Sequence, residues 1–361
     1  MRTTPETPGR RNVAGDRLGC LVRHVLAATF VAVAGSVVVG PAVAQVPDGG
    51  AVILAYGRFG EDDSPSSSVR IDQFEDHLAE LTSGEYSVLP LARVVAALRD
   101  GTALPDRTVV ITIDEAWRSV YAQALPRLRA AGLPFTLFVS TDPLDRGAAT
   151  HMSWAELREV AAAGATIAAM PAAALPMTGR PLEENAAAIR RSVDRIAAEL
   201  RQTPTLFAYP HGEFGLAHRA LVEQARFVAA FGQQSGAAGR GADHLALPRF
   251  VVNEAFGGID RFLQVTAALP LPVADITPVD PLIRQNPPAI GFTLADRVAN
   301  ADRLACFASG IGRTALERLG TDRIEIRFRE PLAPGRLRVN CTVPAIDGRW
   351  HWFGLQLFVP N

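Results

Sequence analysis

A regular alternation of apolar strands and amphipathic helices runs through the middle of this 361-residue chain and limits the folds open to it. Runs of strand character cover 51–56, 108–113, 135–139, 166–170, 205–209 and 228–231. Helical spacing of apolar residues covers 71–78, 91–99, 118–131, 154–163, 182–201, 216–225 and 259–267. Strands that alternate with helices of this length predict an α/β domain with a parallel sheet, either doubly wound or closed into a barrel.

The strand over 108–113 ends in two adjacent carboxylates, Asp114 and Glu115, and the helix over 118–131 follows them. Ligands of α/β proteins bind at the carboxyl ends of parallel strands. Acids at that point are better placed for chemistry than for packing. The sequence therefore predicts the active site at this strand end.

The chain changes character near residue 270. Prolines are dense in a stretch that predicts a linker over 271–288, after a first domain over 45–270. Beyond it, the runs 323–328, 337–341 and 350–359 alternate between apolar and polar residues. This period of two predicts a small antiparallel β-sandwich-like domain over 289–361. The aromatic cluster within the run 350–359 is compatible with stacking on sugar rings or with contacts between the domains.

The first 44 residues have the features of a secretory signal peptide. Five arginines precede an uncharged run over 25–39, and a small-x-small pattern ends at Ala44. We expect cleavage, no membrane span afterwards, and export to the periplasm or the extracellular medium. The alternative is an N-terminal membrane anchor, because the uncharged run approaches the roughly 20 residues that a bilayer helix needs. Cleavage would leave Cys306 and Cys341, which form either a disulfide or two buried free thiols.

Charge and motifs disfavour several classes of function. The formal net charge is -1, which provides no electrostatic footprint for nucleic acid. The sequence has neither the Gly-x-Ser-x-Gly elbow of serine hydrolases nor a Gly-x-Gly-x-x-Gly turn between a strand and a helix. Serine-hydrolase and dinucleotide-dependent functions are therefore disfavoured, and the pattern does not predict an oligomeric state.

Three motifs resemble the polysaccharide deacetylase family, to which the chitooligosaccharide deacetylases of nodulation belong. They are TIDEAW at 112–117, LPFTLFVSTDPLD at 133–145 and MSWAELREVAAAGATI at 152–167. The flanking segments FAYPHGEF and LPRF agree with this resemblance, which covers residues 51–268. It implies a distorted (β/α)7 barrel that removes N- or O-acetyl groups from an acetylated oligo- or polysaccharide.

The resemblance also implies a metal site. In this family a divalent, zinc-type metal held by one aspartate and two histidines polarises water and the carbonyl, and a second aspartate accepts the proton. Asp114 matches the general base and Glu115 the metal-binding aspartate. The two histidine positions fall on Met170 and Ala174, which do not provide the donors that such a metal prefers. His151 precedes the helix over 154–163 and is not expected to replace them.

The family's substrate-contacting positions fall on aromatic and turn residues. They are Trp117, Tyr209, Pro210 and Arg249. Pro210 also fits a role in shaping its turn, and Arg249 fits a structural salt bridge with a barrel carboxylate. His211 is either a proton shuttle at the pocket or a packing residue.

Two hypotheses follow from these residues. The chain is an exported deacetylase with an altered metal site, or it is a non-catalytic protein that binds glycan or assists exopolysaccharide assembly through the same cleft. The loss of both imidazoles favours impaired or lost metal-dependent catalysis, that is, a pseudoenzyme.

Overall fold

The computed structural model describes residues 49–360. The predicted signal peptide over 1–44 lies outside the described residues. None of the helices within 49–360 is long and apolar enough to cross a membrane.

The first two thirds of the described chain, as far as residue 251, contain a parallel sheet. Its strands, together with the short pair β2 and β3, are β1 (Ala51–Tyr56), β2 (Arg58–Phe59), β3 (Ser68–Val69), β4 (Ser87–Val88), β5 (Thr108–Asp114), β6 (Phe135–Val139), β7 (Thr166–Ala169), β8 (Leu206–Ala208), β9 (Ala229–Phe231) and β10 (Phe250–Val251). Among the described residues the sheet has the order β10-β1-β5-β6-β7-β8-β9, and β4 pairs with the edge of β5 near its start. This path of seven parallel strands confirms the predicted distorted (β/α)7 barrel.

Helices connect the strands. They are α1 (Ile71–Leu81), α2 (Leu91–Asp100), α3 (Leu125–Ala131), α4 (Asp142–Asp145), α5 (Trp154–Ala162), α6 (Leu182–Leu200), α7 (Leu216–Gln224) and α8 (Ile259–Thr266). α5 begins at a capping box, in which the Ser153 hydroxyl accepts from the Glu156 amide and the Glu156 carboxylate accepts from the Ser153 amide. The helix predicted over 118–131 is divided, because a π-helical turn at Val120–Ala124 precedes α3.

The central strands β1 and β5 are buried at every position, as expected for a sheet covered on both faces. One face of β5 packs beneath the helices, and the other faces the barrel interior. The interior cluster includes Val110, Phe138, Phe231 and Met170. Since side chains alternate along a strand, Asp114 shares the interior face with Val110.

The C-terminal part forms two further sheets, here called the β domain. Its strands are β11 (Leu269–Pro270), β12 (Val273–Thr277), β13 (Ile290–Leu294), β14 (Ala305–Ala308), β15 (Gly312–Arg313), β16 (Ala315–Leu319), β17 (Arg323–Arg327), β18 (Gly335–Pro344) and β19 (Trp350–Val359). The sheet orders are β11-β19-β18-β14-β15 and β12-β13-β17-β16. Except for β11 with β19, the pairings are antiparallel, as predicted. Strand β12 lies inside the stretch expected to be a linker, so this part of it is paired to β13.

A disulfide joins two strands of the β domain, and an aromatic contact joins the β domain to the barrel. Cys306 on β14 lies opposite Cys341 on β18, and their sulfur atoms are joined at 1.96 Å. Trp352 on β19 packs edge-on against Phe250 of β10, with ring centroids 5.1 Å apart. At Trp352, the aromatic cluster therefore makes a contact between the barrel and the β domain.

Candidate active site

Asp114 lies at the carboxyl end of β5 and is held by a buried arginine. The guanidinium group of Arg249 donates to both carboxylate oxygens, from Nη1 to Oδ1 at 2.6 Å and from Nη2 to Oδ2 at 2.9 Å. Arg249 also donates to the Gly232 carbonyl at 2.9 Å and to the Thr112 hydroxyl at 3.1 Å. Arg249 is fully buried and Asp114 is 9% exposed. This bidentate pair fixes the orientation of the carboxylate.

Glu115 turns away from the strand through a left-handed backbone conformation, with φ at 66°. Its amide donates to the Phe138 carbonyl at 2.8 Å. Such a conformation is uncommon for a residue other than glycine, and it is enriched at functional sites. The turn directs Glu115 towards His151, where Oε2 lies 3.8 Å from Nε2.

His151 is a site residue that the sequence analysis did not predict. Its side chain is 9% exposed, and its Nε2 has no hydrogen-bond partner among the described residues. Its ring centroid lies 4.1 Å from that of Trp117, and its Nδ1 lies 3.0 Å from the Thr150 hydroxyl. The backbone segments around Trp117 and His151 pair with each other, since the Arg118 amide donates to the Thr150 carbonyl at 2.9 Å.

The order of the strands is consistent with the contact between Glu115 and His151. The loops that carry Glu115 and His151 follow β5 and β6, which are neighbours in the sheet. Loops that follow neighbouring parallel strands leave the same end of a barrel. This end, marked by Asp114 and Glu115, is called the mouth below.

The donor atoms at the mouth do not fit the metal implied by the family. Met170 is 2% exposed and belongs to the apolar interior cluster, and Ala174 has no donor atom in its side chain. Within residues 49–360 no group of three histidine, cysteine, aspartate or glutamate side chains is arranged to hold a metal. Glu115 and His151 supply two donors, whereas zinc sites in proteins normally have at least three protein ligands.

The predicted aromatic and turn residues lie in different environments. Trp117 is partly buried, and the guanidinium carbon of Arg58 lies 3.4 Å from its ring centroid. Tyr209 is buried, its hydroxyl donates to the Leu245 carbonyl at 3.0 Å, and burial raises its pKa. Pro210 is buried in the short turn that follows β8. Trp117 therefore contacts Arg58 and His151, and the Tyr209 hydroxyl is engaged by a backbone carbonyl, so the substrate-binding roles of both stay predictions.

His211 follows Pro210 in a left-handed conformation, with φ at 57°. Its carbonyl accepts from Nε2 of Gln356 on β19 at 2.8 Å. The ring makes no hydrogen bond among the described residues. The observed contact is thus between the backbone of this turn and the β domain, and the shuttle role of the ring stays a prediction.

Gln233 connects Asp114 to the β domain. Its Nε2 lies 3.4 Å from Asp114 Oδ2, and its Oε1 lies 3.4 Å from Nη2 of Arg338 on β18. Arg338 also donates from Nε to Gln356 Oε1 at 3.0 Å. Both contacts of Gln233 are long for hydrogen bonds. They place β-domain side chains next to the mouth, which the sequence did not predict.

The barrel has seven parallel strands in one path and a carboxylate pair at its mouth. Residues 101–230 match the family model described as polysaccharide deacetylase. The Bacillus subtilis (strain 168) protein named "Putative polysaccharide deacetylase YxkH" is 23% identical over 197 residues, which are 54% of this chain and 70% of that protein. Residues 101–230 therefore carry a polysaccharide deacetylase domain.

Two solved structures share the fold. The Streptococcus pyogenes deacetylase PplD, in complex with acetate, is 18% identical with a TM-score of 0.56, over 61% of this chain and 99% of that one. IcaB from Ammonifex degensii is 21% identical with a TM-score of 0.53, over 61% of this chain and 96% of that one. At these identities the likeness concerns the barrel fold, and the relation to the nodulation deacetylases stays a prediction.

Proposed function

We propose that this protein is exported, binds an acetylated glycan at the mouth of its barrel, and has lost the metal-dependent hydrolysis of its family. One observation carries the proposal: the two histidine positions are occupied by buried Met170 and by Ala174. Neither side chain is a suitable ligand for zinc. The carboxylates remain without the imidazoles that would complete the family's metal site.

The remaining groups at the mouth suit the binding of a sugar. Glu115 and His151 offer an acceptor and an unpartnered ring nitrogen 3.8 Å apart. Trp117 adds a partly exposed indole. The Arg58 guanidinium covers part of its ring, 3.4 Å from the centroid, and the part that is left exposed offers an apolar contact to a sugar ring. Asp114, held by Arg249, supplies a fixed acceptor for a hydroxyl or an amide N–H.

A second candidate is a deacetylase with an altered metal site. It is favoured by the position of His151, since its buried Nε2 faces Glu115 and has no hydrogen-bond partner among the described residues. In this case His151 and Glu115 would hold the ion and Asp114 would accept the proton from water. The two candidates differ in whether acetate is released.

The test compares acetate release and binding on the same ligand. An acetylated chito-oligomer is incubated with the native protein, with Asp114→Asn, and with Met170→His combined with Ala174→His, each with and without added zinc. We expect calorimetry to detect binding to the native protein and no acetate release above the Asp114→Asn control. Zinc-dependent acetate release by the native protein, abolished by His151→Ala, would establish the second candidate. Absence of binding would contradict the proposal.

A further inference from the structure

A cavity of about 180 Å³ lies where the barrel meets the β domain. The barrel contributes Gln233, Phe256 and Arg261 to its lining, and the β domain contributes Arg338, Asn340 and Trp352. Gln233 is also the side chain that reaches Asp114. The cavity is therefore adjacent to the mouth.

The two arginines of this cavity lack carboxylate partners. Within the described part of the chain, Arg261 makes no hydrogen bond or ion pair, and its guanidinium carbon lies 5.0 Å from the Phe256 ring centroid and 5.9 Å from that of Trp352. Arg338 donates only to the amide oxygens of Gln356 and Gln233. Two cationic side chains thus face one small cavity without a carboxylate in ion-pair contact, and the charge that acts on Arg338 from nearby is that of Glu213, which pairs with Arg336.

Burial makes this arrangement unfavourable in the absence of a ligand. Partial removal from water lowers the pKa of Arg261 and of Arg338. The neighbouring Arg336 lowers the pKa of Arg338 further, and Glu213 offsets part of this shift. Arginine nevertheless remains charged at neutral pH. A buried charge costs free energy unless it is paired and hydrogen-bonded, so a bound anion would remove this cost.

The rest of the lining suits a sugar ring. Phe256 is 44% exposed, and the Trp352 indole also lines the cavity. Trp352 Nε1 donates to Asn340 Oδ1 at 3.3 Å, which leaves the Asn340 NH₂ group available to a hydroxyl. The volume is below the 300–1,000 Å³ of pockets for drug-sized ligands, which limits the occupant to about one sugar residue.

We propose that this cavity binds one carboxylate-bearing sugar residue of the glycan through Arg261 and Arg338. The inference rests on the proposed function and specifies its ligand as an acidic acetylated polysaccharide. Gln233 contacts both Asp114 and Arg338, so an acetylated sugar at the mouth and an acidic sugar in the cavity would be close together along one chain.

The test uses hyaluronan oligosaccharides, in which N-acetylglucosamine and glucuronate alternate. The matched neutral probe is the same oligosaccharide with its carboxyl groups reduced to alcohols. We expect the full-length protein to bind the acidic probe at least about tenfold more tightly, as one charge-assisted hydrogen bond would give. Arg261→Gln and Arg338→Gln should each remove most of this preference.

Control variants separate charge from folding. Arg327→Gln removes an exposed arginine of β17 that pairs with Glu317, and it should keep the full preference. Arg261→Lys retains the charge and should keep part of the preference, while thermal unfolding reports whether each variant is folded.

The outcomes distinguish this inference from the proposed function. The acidic-sugar site would be overturned by equal binding of the acidic and the reduced probe. It would also be overturned if Arg327→Gln lost as much of the preference as Arg338→Gln. Neither outcome would contradict the proposed function. Failure of both probes and of an acetylated chito-oligomer to bind would contradict the proposed function itself.

Discussion

The buried pair of Arg249 and Asp114 makes a quantitative prediction for Arg249→Met. The substitution leaves Asp114, 9% exposed, without the donors at 2.6 and 2.9 Å, and it leaves the Gly232 carbonyl without its donor at 2.9 Å. Removing one partner of a buried ion pair typically costs about 3–5 kcal/mol. We expect the free energy of unfolding to fall by an amount in this range.

The assay is urea unfolding followed by tryptophan fluorescence, arranged as a double-mutant cycle. Asp114→Leu combined with Arg249→Met should cost less than the sum of the single variants, with a coupling energy of about 2 kcal/mol or more, since neither charge is then left alone. Arg327→Met breaks the exposed pair with Glu317 and a second pair with Glu325, which keeps Arg323 as its partner at 2.6 Å. It should therefore change the stability by at most about 1 kcal/mol. A cost for Arg249→Met as small as that of Arg327→Met would refute the reasoning.

Three further predictions concern the β domain, pH and helix capping. Reduction of the disulfide, or Cys306→Ala with Cys341→Ala, should lower the free energy of unfolding by about 3–4 kcal/mol for a 35-residue separation; an unchanged denaturation midpoint would contradict this. Burial lowers the pKa of His77 to about 4, so between pH 6.5 and 4 the imidazole is protonated in the unfolded chain but not in the folded chain. The free energy of unfolding should therefore fall by about 3 kcal/mol as the pH falls from 6.5 to 4. His77→Gln should flatten this profile, and an identical profile would exclude His77 as the cause. Ser153→Ala removes the cap of α5 and should cost about 1 kcal/mol in urea unfolding, whereas Ser83→Ala in an exposed turn should cost nothing measurable.

Strand-and-helix periodicity in the sequence was sufficient to predict an α/β domain with a parallel sheet, and the family resemblance selected the barrel over a doubly wound sheet. β5 is an uninterrupted buried run, and its last residue is the acid that the sequence placed there. The prediction for 135–139 matches β6 to the residue. The assignment of Met170 and Ala174 to the two histidine positions of the family rests on motif spacing within one segment and stays a prediction.

Contacts between loops and between domains could not be predicted in the same way. The approach of His151 to Glu115 requires the left-handed turn at Glu115 and the neighbouring positions of β5 and β6. The approach of Arg338 to Gln233 depends on how the β domain docks on the barrel. Neither arrangement has a local sequence pattern, since each is set by residues far apart in the chain.

Zinc titration of the metal-free protein by calorimetry tests most directly the claim that the mouth has lost its metal site. Met170→His combined with Ala174→His is the matched comparison, because it introduces imidazoles at the two positions where the family resemblance expects metal-binding histidines. We predict that the native protein binds zinc at least about a hundredfold more weakly than this variant, since it supplies two donors where at least three are normally needed. Stoichiometric zinc binding by the native protein with an affinity equal to that of the variant would contradict the account.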